Sequence, residues 1–522
     1  MVQCTAPSTP TSPSSVSVAS KLSKAVENGV IYLQKSDEEN PAALIIPEKD
    51  KTSIEEDLFL AKWLPNDPEN PYNWSTKRKS WITFQLGMLA FAASLASSIT
   101  APANAAIAAY TGVSREVSIL SISLYILGFV FGPCIWAPVS ELWGRKLSML
   151  PAMIGLGLFS IGCGLSQNAA TVFVARFFSG VFGSAPVSNV AASLGDIWLP
   201  KVRGTAMTLY AVAVVGGPTL GPIIGGAVTV SKGLGWRWTE YLLAIWVSAV
   251  VLLTTFCFPE VYAPYLLKKR AQKLRKDTGD DRYHHPHEGI KLDLNSIVTK
   301  HFARPVLMLT TEPMVSCIAV YASFVFGLLY MTLEVFPIVY HEHRGWPLFT
   351  STLPFGALFI GVLCAVGINL SFQPQYARAV EAAEGKPVPE SRLPAMAVGA
   401  FLFVIGLFVF AWTADPPTPW PVSVVAIGFI GAGFTTIFQQ CINFLVDTYR
   451  LYAASAVSAN TFLRSCLAAG LPLLARPMYT NLGVGPATSI LGGIAALALP
   501  VPFLFMKYGL ALRKRSRFAP VE

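Results

Sequence analysis

Residues 205–228 read Thr205-Ala-Met-Thr-Leu-Tyr-Ala-Val-Ala-Val-Val-Gly-Gly-Pro-Thr-Leu-Gly-Pro-Ile-Ile-Gly-Gly-Ala-Val228, a long apolar run with no charged side chain. Within it, residues 216–226 carry five glycines and two prolines. Inside a water-exposed helix each glycine costs about 1 kcal/mol and each proline about 3 kcal/mol relative to alanine. A soluble helix would not survive that. In lipid the backbone must keep its hydrogen bonds internal, so the segment stays helical while neighbours satisfy the carbonyls freed by proline. Small residues then let a second helix come close. The stretch therefore reads as a membrane-spanning helix packed tightly on a partner.

The rest of the chain agrees. Its 522 residues are 53% hydrophobic and only 13% charged, where soluble domains carry roughly 25% charged residues. Mean hydropathy is +0.51. Crossing a bilayer takes roughly 20 apolar residues, and that rule finds spans at 81–101, 117–137, 147–165, 170–191, 205–228 and 239–258. A second set follows at 311–338, 350–372, 394–413, 421–444, 453–474 and 486–507. The expected fold is all-α, with twelve transmembrane helices in two six-helix bundles, residues 77–258 and 305–508. Between them lies a polar loop, 259–304. A Ser/Thr/Pro-rich stretch, 1–76, reads as a disordered tail, and 509–522 as a basic one. Such a duplicated plan places a substrate site between the bundles, near the bilayer midplane.

The net charge of +9 is not a nucleic-acid footprint, because the basic residues sit between the apolar runs. Lys77, Arg78, Lys79, Arg145, Lys146, Lys201, Arg203 and the basic residues of the middle loop fall on one side, while the other holds Arg115, Lys232, Arg237, Arg344 and Arg476. By the positive-inside rule both termini are expected in the cytoplasm. The eight cysteines form no Cys-x-x-Cys pair, and seven lie in apolar runs, which argues for packing rather than disulfides or metal. His284, His285 and His287 lack further ligands, so no metal is expected there. No span carries a convergent nucleophile and base, so an enzyme is not expected, and no cofactor is expected either.

Charge at membrane depth is expensive and asks for a partner or a function. Arg176 in span four reads as a packing or gating residue. Arg464 in span eleven, with Ser455, Ser458 and Asn460 on its helix, either faces a polar cavity or ties helices together through carbonyls. Glu334 in span seven is the leading proton carrier, since burial of a carboxyl favours its neutral form; the alternative is a wetted carboxylate at the interface. Tyr330 and Tyr321 are expected to give that helix a polar aromatic side. In span ten, Gln439, Gln440 and Asn443 suit either a polar ligand or an interhelical hydrogen bond.

Between spans two and three, Ala137-Pro-Val-Ser-Glu141-Leu-Trp-Gly144-Arg145-Lys146 offers a tight glycine turn, with Glu141, Arg145 and Lys146 able to cross-link helix ends as a gating loop. This stretch resembles the loop motif G-x-x-x-D-x-x-G-R-K of the major facilitator superfamily, with Ala137 and Glu141 as substitutions. Arg176-Phe-Phe-Ser-Gly180 resembles the superfamily's span-four arginine motif. Gly217-Pro218, Gly221-Pro222 and Gly225-Gly226 resemble its antiporter motif, found in exporters. Asp67-Pro-Glu-Asn-Pro-Tyr-Asn-Trp74, Trp236-Arg-Trp238, Pro259-Glu-Val-Tyr262, Glu312-Pro313, Glu334-Val-Phe-Pro337 and Ser455-Ala-Val-Ser-Ala-Asn-Thr-Phe-Leu-Arg464 are similar to the fungal twelve-span drug:proton antiporters. That branch includes multidrug, polyamine and toxin exporters such as those for cercosporin. The resemblance implies a monomeric, proton-coupled exporter of a hydrophobic or amphipathic small molecule in the plasma membrane. A polyamine exporter or a nutrient carrier of the same fold is the alternative.

Overall fold

The computed structural model describes residues 59–289 and 299–519. Twelve of its helical segments are long and apolar enough to cross a membrane. In the first half they are Thr76–Thr111, Arg115–Trp143, Arg145–Gly164, Ala169–Ile197, Val202–Val230 and Arg237–Cys257. The second half has Pro313–His343, Leu348–Ala382, Pro389–Thr413, Trp420–Tyr449, Ala453–Leu482 and Val484–Arg515. They are numbered here as spans one to twelve. The described residues contain no strand, only an isolated bridge between Leu60 and His284.

Local chemistry sets the helix ends. Ser75, Ser114 and Asn168 are N-caps whose side chains accept from Arg78, Val117 and Thr171 amides, satisfying donors that a first helical turn leaves open. Gly112, at φ +71°, closes span one, and Gly144, at φ +95°, turns the chain between spans two and three. Span five runs unbroken through Pro218 and Pro222. The observed spans exceed the expected ones because a hydropathy window stops at the lipid boundary while the helix does not. Span one, expected to end at residue 101, continues through a 3-10 turn and a further helix to Thr111.

Two apolar cores dominate, one centred in each half, the second joined by Ile122, Ile126 and Val215 of the first half. Leu86, Tyr125, Met153 and Leu243 belong to the first; Val325, Phe355, Phe403 and Phe444 belong to the second. Large apolar side chains such as Leu158, Phe256, Trp412 and Leu497 lie exposed on the outside, the surface that a lipid-facing belt requires. The halves meet where span two lies against span eleven and span five against span eight. Advancing each span of the first pair by six, modulo twelve, gives the second pair, as a two-fold relation between bundles demands.

Three boundaries differ from the sequence expectation. The last helix continues to Arg515 rather than ending at 508, and the segment after it is anchored: Glu312 accepts from the Ser516 hydroxyl at 2.6 Å and the Arg517 amide at 3.0 Å. The middle segment 259–304 is not simply a loop, since Ala263–Thr278 is a helix closed by Gly279 at φ +71°. The stretch expected as disordered, 1–76, has described structure from residue 59; residues 1–58 lie outside the described part.

Among the described residues, 59–73 and 262–289 belong to one compact unit, and the membrane helices to another. Within it Asp67 receives Arg270, the Ala61 amide donates to the His284 carbonyl, and Phe59 meets Tyr283 edge-on. Burial pushes the Asp67 carboxyl up, but Arg270 and the Glu69 amide outweigh it and hold it below the ordinary carboxylate value. His287 is buried against the Tyr262 ring.

Candidate functional site

Three groups of polar residues buried in the membrane helices involve the residues that the sequence singles out. The first is a hydrogen-bonded chain that crosses between the halves. Glu240 of span six and Arg176 of span four pair at 3.1 Å, both fully buried. Arg176 Nε donates to the Ser121 carbonyl at 2.8 Å, and its guanidinium lies over the Tyr125 ring. The Ser121 hydroxyl donates to Asn104 Oδ1 at 3.2 Å, and Asn104 Nδ2 donates to Glu334 Oε1 at 2.7 Å. One turn before Glu334, the Tyr330 hydroxyl meets Ser97 of span one at 2.9 Å. Both contacts join span one to span seven. They belong to the end of the bundle opposite the basic loops, and beyond them Glu342 binds Arg115 of the first half at 2.7 Å and Arg476 of the second at 3.0 Å.

Tyr321 does not share the Tyr330–Glu334 side. Nine residues separate the two tyrosines, roughly two and a half turns, so they point to opposite sides of the helix. The polar aromatic face expected for span seven is thus Tyr330 and Glu334 alone. Asn104 is one residue that the sequence reading does not include. A hydropathy boundary at 101 had placed it outside the membrane, although an asparagine in the run Ala101–Ala109 was its visible signal.

The second group is in span ten. Asn369 of span eight donates to Gln439 at 2.9 Å and accepts from Gln440 at 2.7 Å, while Gln439 donates to Thr208 of span five at 3.0 Å. The interhelical alternative therefore describes both glutamines. Asn443 is half-buried and takes no part in this network.

The third group is in the middle of span eleven. Arg464 lies 11 residues past the start of its helix at Ala453, a rise of roughly 16 Å or about half the hydrocarbon thickness. Its guanidinium carbon is 4.5 Å from the Phe326 ring centroid and 5.0 Å from that of Phe438. Phe434 stacks on Phe438, and Tyr330 packs against Phe326. Asn460, one turn earlier, is fully buried, and neither of its amide atoms has a hydrogen-bond partner. Of the two readings open for Arg464, the tie through carbonyls does not occur among the described residues.

A cavity of about 530 Å³ is lined by Phe84, Phe91, Trp198, Leu209, Tyr210, Trp246 and Phe359 among others, with no charged side chain. It lies on spans one, five, six and eight rather than on the polar chain. Of its lining residues, Tyr210 donates its hydroxyl to the Val187 carbonyl. Its size suits a drug-like molecule.

The two sequence motifs have clear physical roles. In span five a Cβ on Gly217 would strike the Ser94 backbone, one on Gly221 the Ser98 side chain, and one on Gly225 the Ile99 carbonyl. These glycines, four residues apart, make one stripe that lets spans one and five touch backbone to backbone. Gly226 faces Thr352 of the other half. At the basic end, the Glu260 carboxylate accepts from the Arg145 and Lys146 amides at 2.9 and 3.0 Å, capping span three. The Arg145 side chain binds Asp196 and Ser140, each at 2.8 Å. The loop around Gly144 is thus held by two carboxylates, Glu260 and Asp196, that the sequence reading does not single out. Glu260 lay in the quoted stretch Pro259-Glu-Val-Tyr262, where its type at a helix-end position was the available signal.

A profile of the Major Facilitator Superfamily matches residues 86–472. The multidrug transporter FLU1 of Candida albicans is 39% identical over 461 residues, covering 87% of this chain and 75% of the relative. The efflux pump bik6 of Gibberella fujikuroi is 40% identical, covering 88% of this chain and 94% of the relative. A citrinin biosynthesis cluster transporter of Monascus ruber, mrr1, is 39% identical, covering 89% and 93%. Among solved structures, the proton:xylose symporter XylE superposes with a TM-score of 0.57 at 14% identity, covering 83% of this chain and 96% of that one. With twelve apolar helices in two halves, a matching profile across most of them and relatives near 40% identity over three quarters or more of their length, the chain belongs to the Major Facilitator Superfamily and is a membrane transporter rather than an enzyme.

Proposed function

We propose that this transporter exports a hydrophobic or amphipathic aromatic small molecule, a secondary metabolite or a xenobiotic, in exchange for protons. The observation that carries the coupling is Glu334: a buried carboxylate whose hydrogen bond, from Asn104, crosses between the halves. Protonation removes the charge that strengthens this bond, so loading a proton alters a contact that has to break when that end opens. The apolar cavity and the aromatic cluster beside Arg464 supply a binding surface for a flat hydrophobic compound. The names of the relatives, a multidrug transporter and an efflux pump, support the outward direction. A polycation finds no matching set of deep carboxylates, which disfavours the polyamine alternative. With the basic loops in the cytoplasm, Glu334 lies toward the outer face of the plasma membrane, where protons enter.

The test uses purified protein in liposomes with an imposed pH gradient and a fluorescent aromatic dye. Gradient-dependent dye movement in the wild type and its loss in Glu334→Gln are expected, with dye exchange in the absence of a gradient retained. Dye movement that ignores the gradient would refute proton coupling.

A further inference from the structure

We infer that Arg464 and Asn460 form a subsite for an anionic oxygen, so that the preferred substrate is an aromatic compound carrying a carboxylate or phenolate; this rests on the reading of the chain as an exporter of aromatic molecules. The argument starts from an imbalance. Among the described residues, the other deep guanidinium, Arg176, has a carboxylate at 3.1 Å. Arg464 has none within ion-pair distance, although it is only 5% exposed and sits at mid-depth. Its Nε lacks any hydrogen-bond partner. The rings of Phe326 and Phe438 attract the cation electrostatically but present no lone pairs to its N–H donors.

An unpaired buried cation is costly, and so are unpaired buried amides. Asn460 is 0% exposed with both amide atoms unpartnered, and it stands four residues before Arg464, on the same helix face. Two orphaned polar side chains on one face, beside aromatic rings and next to Tyr330, define the chemistry of a missing partner. It has a negatively charged oxygen for the guanidinium fork, a polar atom for the amide, and a flat apolar body for the rings. A neutral hydrocarbon would leave both side chains unpaired, and a cation would be repelled.

The site also explains why aromatic residues alone do not define the substrate. The cavity bordered by Tyr210 has no charged side chain in its lining and so offers no partner to an anionic group. Discrimination falls to the Arg464 guanidinium. A site built to pair a polar group rejects the analogue lacking that group more strongly than an apolar pocket rejects a change of size.

The experiment measures equilibrium binding to purified protein in nanodiscs without any gradient, so that it reads the subsite independently of direction and coupling. The probes are 9-anthracenecarboxylate and its methyl ester, which share the ring system and differ in charge. The wild type is expected to bind the acid roughly tenfold or more tightly than the ester, the ratio a charge-assisted pair provides. Arg464→Gln should erase the preference while leaving ester binding in place. Asn460→Ala should reduce it, which keeps the inference testable if the arginine variant fails to fold. Equal affinity for acid and ester in the wild type, an unchanged preference in both variants, or no binding of either probe would overturn it. Failed gradient-driven transport with the charge preference intact would instead count against proton-coupled export alone.

Discussion

A guanidinium and a carboxylate 3.1 Å apart, both without solvent access, make Arg176 and Glu240 an interaction whose sign depends on how it is removed. Deleting one partner strands the other charge, at a cost of about 3–5 kcal/mol. Replacing both by apolar residues removes the desolvation penalty together with the attraction. Arg176→Met alone should therefore lower the thermal unfolding midpoint of the purified protein sharply, and the double variant with Glu240→Met should recover most of the loss. If the double variant unfolds as early as the single one, the pair matters chiefly through the bonds Arg176 makes to Ser121 and Tyr125. The type and depth of Arg176 were legible in the sequence. Its pairing was not, because Glu240 lies 64 positions away and only packing of spans four and six brings it there.

At the scale of the element, span five shows why glycine is placed where it is. Gly217, Gly221 and Gly225 permit backbone contact with span one, so a larger side chain must push the helices apart. Overpacking of this kind costs about 1–3 kcal/mol. Gly221→Leu should lower both thermal stability and transport, whereas Gly470→Ala, in a helix with open space around the added carbon, should leave stability unchanged or slightly raised. Outside the membrane, the helix Ala263–Thr278 is fastened through Arg270 to Asp67. Because the Asp67 carboxyl is held below its ordinary value, the pair stabilises the fold at pH above the unfolded carboxylate value and the contribution is lost as pH falls through the folded one. Hydrogen-exchange protection of residues 263–278, corrected for intrinsic rates, should be higher at about pH 6 than at about pH 3. In Asp67→Asn it should be low at both and nearly pH-independent.

The molecule as a whole is two bundles tied at several depths: Thr208 to Gln439, Ser97 to Tyr330, Asn104 to Glu334, and Arg115 to Glu342. Alternating access requires the ties at one end to break while those at the other form. Glu342 is the hub of the end opposite the basic loops, and its partly exposed ion pairs are worth about 0.2–1 kcal/mol each. Glu342→Ala should thus shift the balance toward opening at that end by up to about fivefold for each tie lost. Spin labels at Thr111 and Leu482 would show this as a larger population at long distance. An unchanged distribution would place the control of that end in the buried Asn104–Glu334 contact instead.

The sequence by itself determined the membrane class, the twelve helices and their division into halves, because lipid imposes a length and an apolarity that each segment must meet locally. It also determined which residues were out of place, since Arg176, Glu334 and Arg464 stand out against any apolar run. The glycine stripe and the loop at 137–146 were legible for the same reason, as spacing along one chain. Only the tertiary structure decided what each misplaced residue faces. Glu240, Asn104 and Asn369 come from other helices, Glu260 and Asp196 from other segments, and Tyr321 turns away from its expected companions by helical phase. Pairing across helices depends on bundle packing, and hydropathy carries no information about which face meets which.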